Sequence, residues 1–295
     1  MDSTLVVNEI YLSLQGESTF AGLPCVFVRL TACNLRCSYC DSAYAFSEGR
    51  KMLVADVLAE VRRLSAPFRP DRGWSPAAAD PRIERPGNVP ETMVQPPAPR
   101  AATARAPQSE TGAPGSGLRN PPSEINPLPL VELTGGEPLL QPGALPLMKA
   151  LCDEGFAVLL ETSGAHDVAP VDARVHRIMD LKCPSSGEVQ RNRWDNLSHL
   201  NAGDEIKFVI GTREDYDWAR EQIAARGLAA ICPLLFSWVQ PLAAEQQHPS
   251  LKPVPPGQTT LTRLELAERI IADALPVRFQ VQLHKVIWPA EKRGV

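Results

Sequence analysis

The chain has 295 residues, enough for about two domains or one large one. Thirty Lys and Arg against 34 Asp and Glu leave a net charge of −4, which argues against a nucleic-acid clamp or a basic membrane-surface binder. Hydrophobic residues make up 44 %, sufficient for a real core, yet no apolar run reaches the ~18 residues a bilayer span requires. The opening MDSTLVVNEI has no basic stretch leading into an apolar run, so no secretory signal is expected and the cytoplasm is the default location. The seven cysteines then read as thiols or metal ligands and not as a disulfide framework.

In chain order, Cys25–Leu30 is strand-like, and Leu53, Val57, Val61 and Leu64 share one helical face. Residues 66–129 hold 15 of the 29 prolines, with five glycines, ten alanines, seven arginines and six acids. That composition cannot bury enough surface to offset its ordering entropy, so 66–129 is expected to be a mostly disordered Pro-rich insertion. Strand Pro129–Leu133 runs into a Gly-Gly turn, helix Leu145–Glu154 stops at Gly155, and strand Ala157–Glu161 follows. Strands are expected at His176–Lys182, Glu205–Ile210, Leu234–Gln240 and Arg278–Leu283. Helices fill the gaps at Glu214–Arg226 and Thr262–Leu275, and a loop spans Pro241–Gln258. Such alternation predicts an α/β fold around a parallel sheet. About six parallel strands are too few for a closed eight-stranded barrel, so an open, partial TIM-like barrel fits, with its chemistry at the carboxyl ends of the strands. The core would then comprise 1–65 with a cysteine loop and 130–295, divided by the insertion at 66–129.

Three cysteines, Cys33, Cys37 and Cys40, fall within eight residues directly after the strand ending at Leu30. A closed zinc site normally takes four protein ligands, and no fourth cysteine lies nearby. Three thiolates on a four-iron cluster leave one iron open to a small ligand. Composition alone leaves three readings: an iron–sulfur cluster, zinc with a distant fourth ligand, or plain buried thiols. Cys25, Cys152, Cys183 and Cys232 lie in apolar contexts and read as core thiols, and Trp194 and Trp218 as packing residues.

The spacing Cys33-x3-Cys37-x2-Cys40, followed after a strand by Thr134-Gly-Gly-Glu-Pro138, resembles the radical S-adenosylmethionine (SAM) superfamily. The stretches Ile10–Glu17, Asp41-Ser42, Glu161–Gly164, Asp180–Ser186, Val281–Trp288 and Lys292–Val295 narrow the resemblance to the 7-carboxy-7-deazaguanine synthase family of queuosine and deazapurine biosynthesis. It covers nearly everything outside 66–129 and the loop after Gln240.

The resemblance implies a reduced radical-SAM barrel, usually a homodimer. Its cofactors are a [4Fe-4S] cluster on Cys33, Cys37 and Cys40, SAM, and Mg2+ held through Ser42. SAM contacts carry over to Tyr39, Cys40, Asp41, Gly136, Glu137, Asp180, Leu181, Lys182 and Gln240. Substrate contacts carry over to Leu14, Gln15, Gly16, Glu17, Arg29, Thr134, His284 and the terminal Val295. His284 is expected where a strand passes into a loop. The implied reaction uses a 5′-deoxyadenosyl radical to take hydrogen from 6-carboxy-5,6,7,8-tetrahydropterin, which contracts its ring and loses ammonia. An electron donor of the flavodoxin or ferredoxin type is implied, and neither nucleic acid nor membrane as a partner. Two other readings stand beside this one: a glycyl-radical enzyme activase, and a non-enzymatic zinc-binding interaction protein.

Overall fold

The computed structural model describes residues 3–68, 130–289 and 292–295. Ala66–Phe68 form a short 3-10 turn; the rest of the expected insertion lies outside the described residues.

One sheet of nine strands organises the chain, in the order β3-β1-β2-β4-β5-β6-β7-β8-β9. β1 (Thr4–Leu14) pairs antiparallel with β2 (Pro24–Leu30) on one side and β3 (Arg50–Leu53) on the other. From β2 onward every pairing is parallel, through β4 (Leu130–Gly135), β5 (Val158–Thr162), β6 (His176–Leu181), β7 (Glu205–Ile210), β8 (Leu234–Trp238) and β9 (Arg278–Gln280). The parallel part thus has seven strands where about six are expected. β3 and β9 are its two ends and do not pair with each other, so the barrel is open.

Side chains alternate between the two faces of each strand. The outward set is almost wholly aliphatic or aromatic. Val26, Val28, Val131, Leu133, Val158 and Leu160 pack under α1 (Val54–Ser65) and α2 (Ala144–Asp153). Met179, Leu181, Ile206, Phe208, Leu234 and Phe236 pack under α3 (Arg213–Arg226) and α4 (Arg263–Ala272). Both α3 and α4 begin with capping boxes, Thr212–Asp215 and Thr262–Glu265, which satisfy otherwise orphaned amide donors. α3 ends at Gly227, whose φ of 61° suits a residue without Cβ.

Three expectations need correction. Leu53 is the last residue of β3 and precedes α1 instead of joining its buried face, which is carried by Val57 and Val61. α4 ends at Ala272 and not at Leu275, because the amide of Leu275 already turns back to the carbonyl of Ile270. The strand expected to reach Leu283 stops at Gln280, and His284 sits in a short helix, α5 (Leu283–Ile287). The amide of Leu283 bonds to the carbonyl of Gly16 at 3.1 Å and is thereby drawn off the sheet. Among the described residues no helix is long and apolar enough to cross a membrane.

Candidate active site

The inward side chains change character partway along each strand. Cys25 and Phe27 on β2, Leu130 on β4, Leu159 on β5 and Ile178 on β6 form an apolar floor. Two residues further on, the same faces carry Arg29, Glu132, Glu161 and Asp180, while β7 adds Lys207; these polar groups line a cavity of about 580 Å3 at the carboxyl ends of the strands. Of the site residues expected from the sequence, all but Glu137 and Leu181 line this one cavity. Leu181 belongs to the outward packing.

The cysteine loop leaves β2 through Ala32, a non-glycine residue at φ 78°. It is tied to the turn after β6: Arg36 N donates to Glu188 at 2.7 Å, Ser38 N to the carbonyl of Ser186 at 3.1 Å, and Ser38 Oγ to that of Ser185 at 2.7 Å. Cys33, Cys37 and Cys40 all face the cavity and are unpaired. Burial pushes the thiols of Cys37 and Cys40 up to about 11 and that of Cys33 upward, so a metal must displace their protons to bind them. Lys182, whose Nζ lies 2.6 Å from Asp180, lowers the cost of negative charge at Cys33 and Cys37. Asp180 Oδ1 and the Tyr39 hydroxyl are buried with no hydrogen-bond partner among the described residues. Three soft sulfur donors beside a buried cation and two unsatisfied polar atoms suit a thiolate-bound iron–sulfur cluster with a polar ligand next to it. No three His, Cys, Asp or Glu side chains among the described residues converge as for a single metal ion.

The Gly-Gly turn after β4 packs against this loop. Gly135 has φ 144°, and a Cβ there would collide with the backbone of Leu30; one on Gly136 would collide with the Ala32 carbonyl. Gly136 N donates to Leu30 O at 3.1 Å and Glu137 N to Ala32 O at 2.9 Å. The glycines therefore admit the cysteine loop's own backbone. The Glu137 side chain is fully buried and does not line the cavity, accepting from Leu139 N, Thr162 Oγ1, Ser163 N and Ser163 Oγ at 2.5–3.0 Å.

At the other end, Gln15 Nε2 donates to Glu132, and Ser237 Oγ donates to Glu17. Lys207 Nζ pairs with Glu161 and lies 3.6 Å from Glu17. Burial pushes the Glu161 carboxyl up, but Lys207 outweighs it and holds it at about 2. Among the described residues no cation pairs directly with Glu132; burial and the Glu161 charge outweigh the more distant Lys207 and Arg29 and push its carboxyl well above the usual range. Thr134 Oγ1 donates to Glu161 at 3.2 Å. Arg29 is already engaged through Nε with Glu9 at 2.8 Å and through Nη2 with the Tyr11 hydroxyl at 2.9 Å. Asp41 pairs with Lys285 at 2.6 Å, which overcomes burial and holds Asp41 at about 2. His284, pushed down by burial, packs its ring against Gly16. Ser42 Oγ lies 3.8 Å from Cys40 Sγ, and Leu14, Gln240 and Val295 sit on the cavity wall.

Glu132, Glu161 and Lys207 are absent from the residues expected at the site. Their signal is nevertheless in the sequence: each is a charge on a strand whose alternate positions are apolar and helix-packed, which places it on the opposite face.

An open parallel barrel with a three-thiol loop after β2 and a Gly-Gly-Glu turn after β4 defines an enzyme of the radical SAM class. No family model matches the chain. It is 37 % identical over 291 residues to the 7-carboxy-7-deazaguanine synthase of Koribacter versatilis, covering 98 % of this chain and 99 % of that one. It is 34 % identical over 297 residues to the enzyme of the same name from Chlorobaculum tepidum, covering 100 % and 99 %. The crystal structure of QueE from Escherichia coli superposes with a TM-score of 0.56 at 20 % identity over 95 % of each chain. The chain belongs to the 7-carboxy-7-deazaguanine synthase family and is a radical SAM lyase of queuosine biosynthesis. That membership decides against the activase and the zinc-binding interaction protein.

Proposed function

We propose that the cavity converts 6-carboxy-5,6,7,8-tetrahydropterin to 7-carboxy-7-deazaguanine with loss of ammonia, with Cys33, Cys37 and Cys40 as ligands of a [4Fe-4S] cluster. The observation that carries this reading is the convergence of those thiols on one cavity with Gln15, Glu17 and Ser42. When bound, the cluster and SAM supply a carbon radical that removes a hydrogen atom from the substrate. The chain's own residues bind and orient. Tyr39, Asp180, Lys182, Gln240 and the backbone at Cys40, Asp41 and Gly136 hold SAM. Glu137 and Leu181 contribute to that site by bracing it: one anchors the turn, the other packs its strand.

Glu17 and Gln15 meet the donor-rich edge of the pterin, a pairing that suits a carboxylate. Lys207 keeps Glu161 ionised beside it and lies within 3.6 Å of Glu17. Arg29 offers its remaining nitrogen, Nη1, to the substrate carboxylate, and Ser42 supplies one oxygen to Mg2+, which takes the rest from water and substrate. Leu14, Gly16, Thr134, His284 and Val295 close the walls and exclude water.

A flavodoxin- or ferredoxin-type protein supplies the electron. The enzyme is a homodimer: among the described residues, five of the eight large exposed apolar side chains fall on α4 (Leu264, Ile271), β9 (Phe279) and α5 (Val286, Ile287), at the open end of the sheet. Seven unpaired cysteines suit a reducing cytoplasm. The test is anaerobic turnover of the pterin by reconstituted protein with SAM and reductant, with and without Mg2+. Deazapurine formation stimulated by Mg2+ is expected; a reconstituted cluster that cleaves SAM and leaves the pterin unchanged would refute the substrate assignment.

A further inference from the structure

The residues read above as the pterin site, Gln15 to Glu17, belong to a loop (15–23) that joins β1 to β2 yet bonds to strands from the far end of the sheet. Its next residue, Ser18, is a buried non-glycine residue at φ 69°, a conformation that L side chains rarely adopt. Gln280, the last residue of β9, grips both backbone groups of Ser18: Ser18 N donates to Gln280 Oε1 at 2.9 Å, and Gln280 Nε2 donates to Ser18 O at 2.6 Å. Ser18 Oγ accepts from Phe20 N at 3.0 Å. One residue further, Thr19 donates through both N and Oγ1 to Glu205 Oε1, which also meets His176 Nε2 at 2.9 Å. On the near side, Gly16 O accepts from Leu283 N.

We infer that Gln280 is a positioning residue for the pterin: by holding Ser18 in left-handed backbone it sets the direction in which Gln15 and Glu17 enter the cavity. A residue at φ near 70° persists only where its surroundings over-determine it. Among the described residues the Gln280 amide is the one group that bonds both Ser18 N and Ser18 O, the latter also accepting from Ala21 N at a longer 3.4 Å. A glutamate there would keep the acceptor, lose the donor and set a negative oxygen against the Ser18 carbonyl. Gln280 does not line the cavity, so its effect must pass through the loop.

The inference rests on the pterin reading of Gln15–Glu17, and its test separates the two. Wild-type enzyme, Gln280→Ala, Gln280→Glu and the pair Ser18→Gly with Gln280→Ala are reconstituted anaerobically. KM for the pterin, kcat and the SAM dissociation constant are measured, with thermal melting alongside. Loss of the two part-buried hydrogen bonds to the Ser18 backbone is expected to raise the pterin KM about 10-fold in Gln280→Ala, and further in Gln280→Glu. SAM affinity and kcat should stay within about twofold, because Leu283 and Glu205 still hold the loop's ends. Adding Ser18→Gly should recover most of the lost KM, since glycine holds this backbone without help. An unchanged KM, a parallel loss of SAM affinity, no recovery with glycine, or failure of both Gln280 variants to fold would overturn the inference. A wild-type enzyme that binds SAM but never consumes the pterin would instead remove the reading beneath it.

Discussion

The floor of the barrel and the wall above it stand on the same strands, two residues apart, and are held by opposite means. Leu130, Leu159 and Ile178 are removed from water and repay the fold for it, at about 25 cal/mol per Å2 of apolar area. Asp180, Lys182 and Lys207 are nearly as enclosed, with Glu161 half-buried beside them, but they gain little net stability, because the desolvation of each charge offsets its attraction to a partner. Charges kept at such a cost mark the part of the molecule that does chemistry. The floor decides whether the barrel stands, and the wall decides what it handles.

The largest effect should come from Lys207→Met, which leaves Glu161 and Glu17 facing each other without a cation. A loss of about 3–5 kcal/mol in chemical denaturation is expected, together with turnover lower by about 100-fold. Leu159→Ala should cost a comparable 2–5 kcal/mol yet leave the pterin KM of the folded enzyme within about twofold; a large rise in KM would mean that the floor also shapes the site. Acid separates the two further. Glu161 is held at about 2, below its unfolded value, so its contribution is fully present above about pH 5 and is lost as pH falls toward 2. Because part of the side chain opens to the cavity, the loss should be on the order of 1–2 kcal/mol. That acid slope should vanish in Lys207→Met and persist in Leu159→Ala. The smallest effect should come from Glu132→Gln. A carboxyl already pushed toward its neutral form is mimicked by an amide, so stability should change by less than about 0.5 kcal/mol and kcat/KM by less than about threefold.

The outward half of this pattern was readable in the sequence. The apolar runs at Cys25–Leu30, Ala157–Glu161 and Glu205–Ile210 mark the parallel strands because each must bury one face under a helix. β3 escaped notice because Arg50 and Lys51 are exposed at a sheet end and only four residues pair. β1 escaped because its pairing with two neighbours leaves most of its side chains half-buried and without clean alternation. The thiol loop and the Gly-Gly turn were legible from spacing, since three thiols facing one cavity and a clash-free seam each demand fixed residue types. The role of Glu137 was not, because only the folded chain brings Thr162 and Ser163 around its carboxylate. The strand pattern marks Lys207 and Glu161 as cavity-facing, but their pairing, like that of Gln280 with Ser18, spans separations in sequence that no local pattern reports.

The seam between the cysteine loop and the turn after β4 has a further consequence. Main-chain atoms alone set the distance across it, through two amide–carbonyl bonds and the absence of room for a methyl group. Rotamer changes cannot widen such a spacing, and substitution of neighbouring side chains cannot retune it. It works as a gauge block, keeping the two walls of the reaction chamber at one separation while the outside of the protein drifts through evolution.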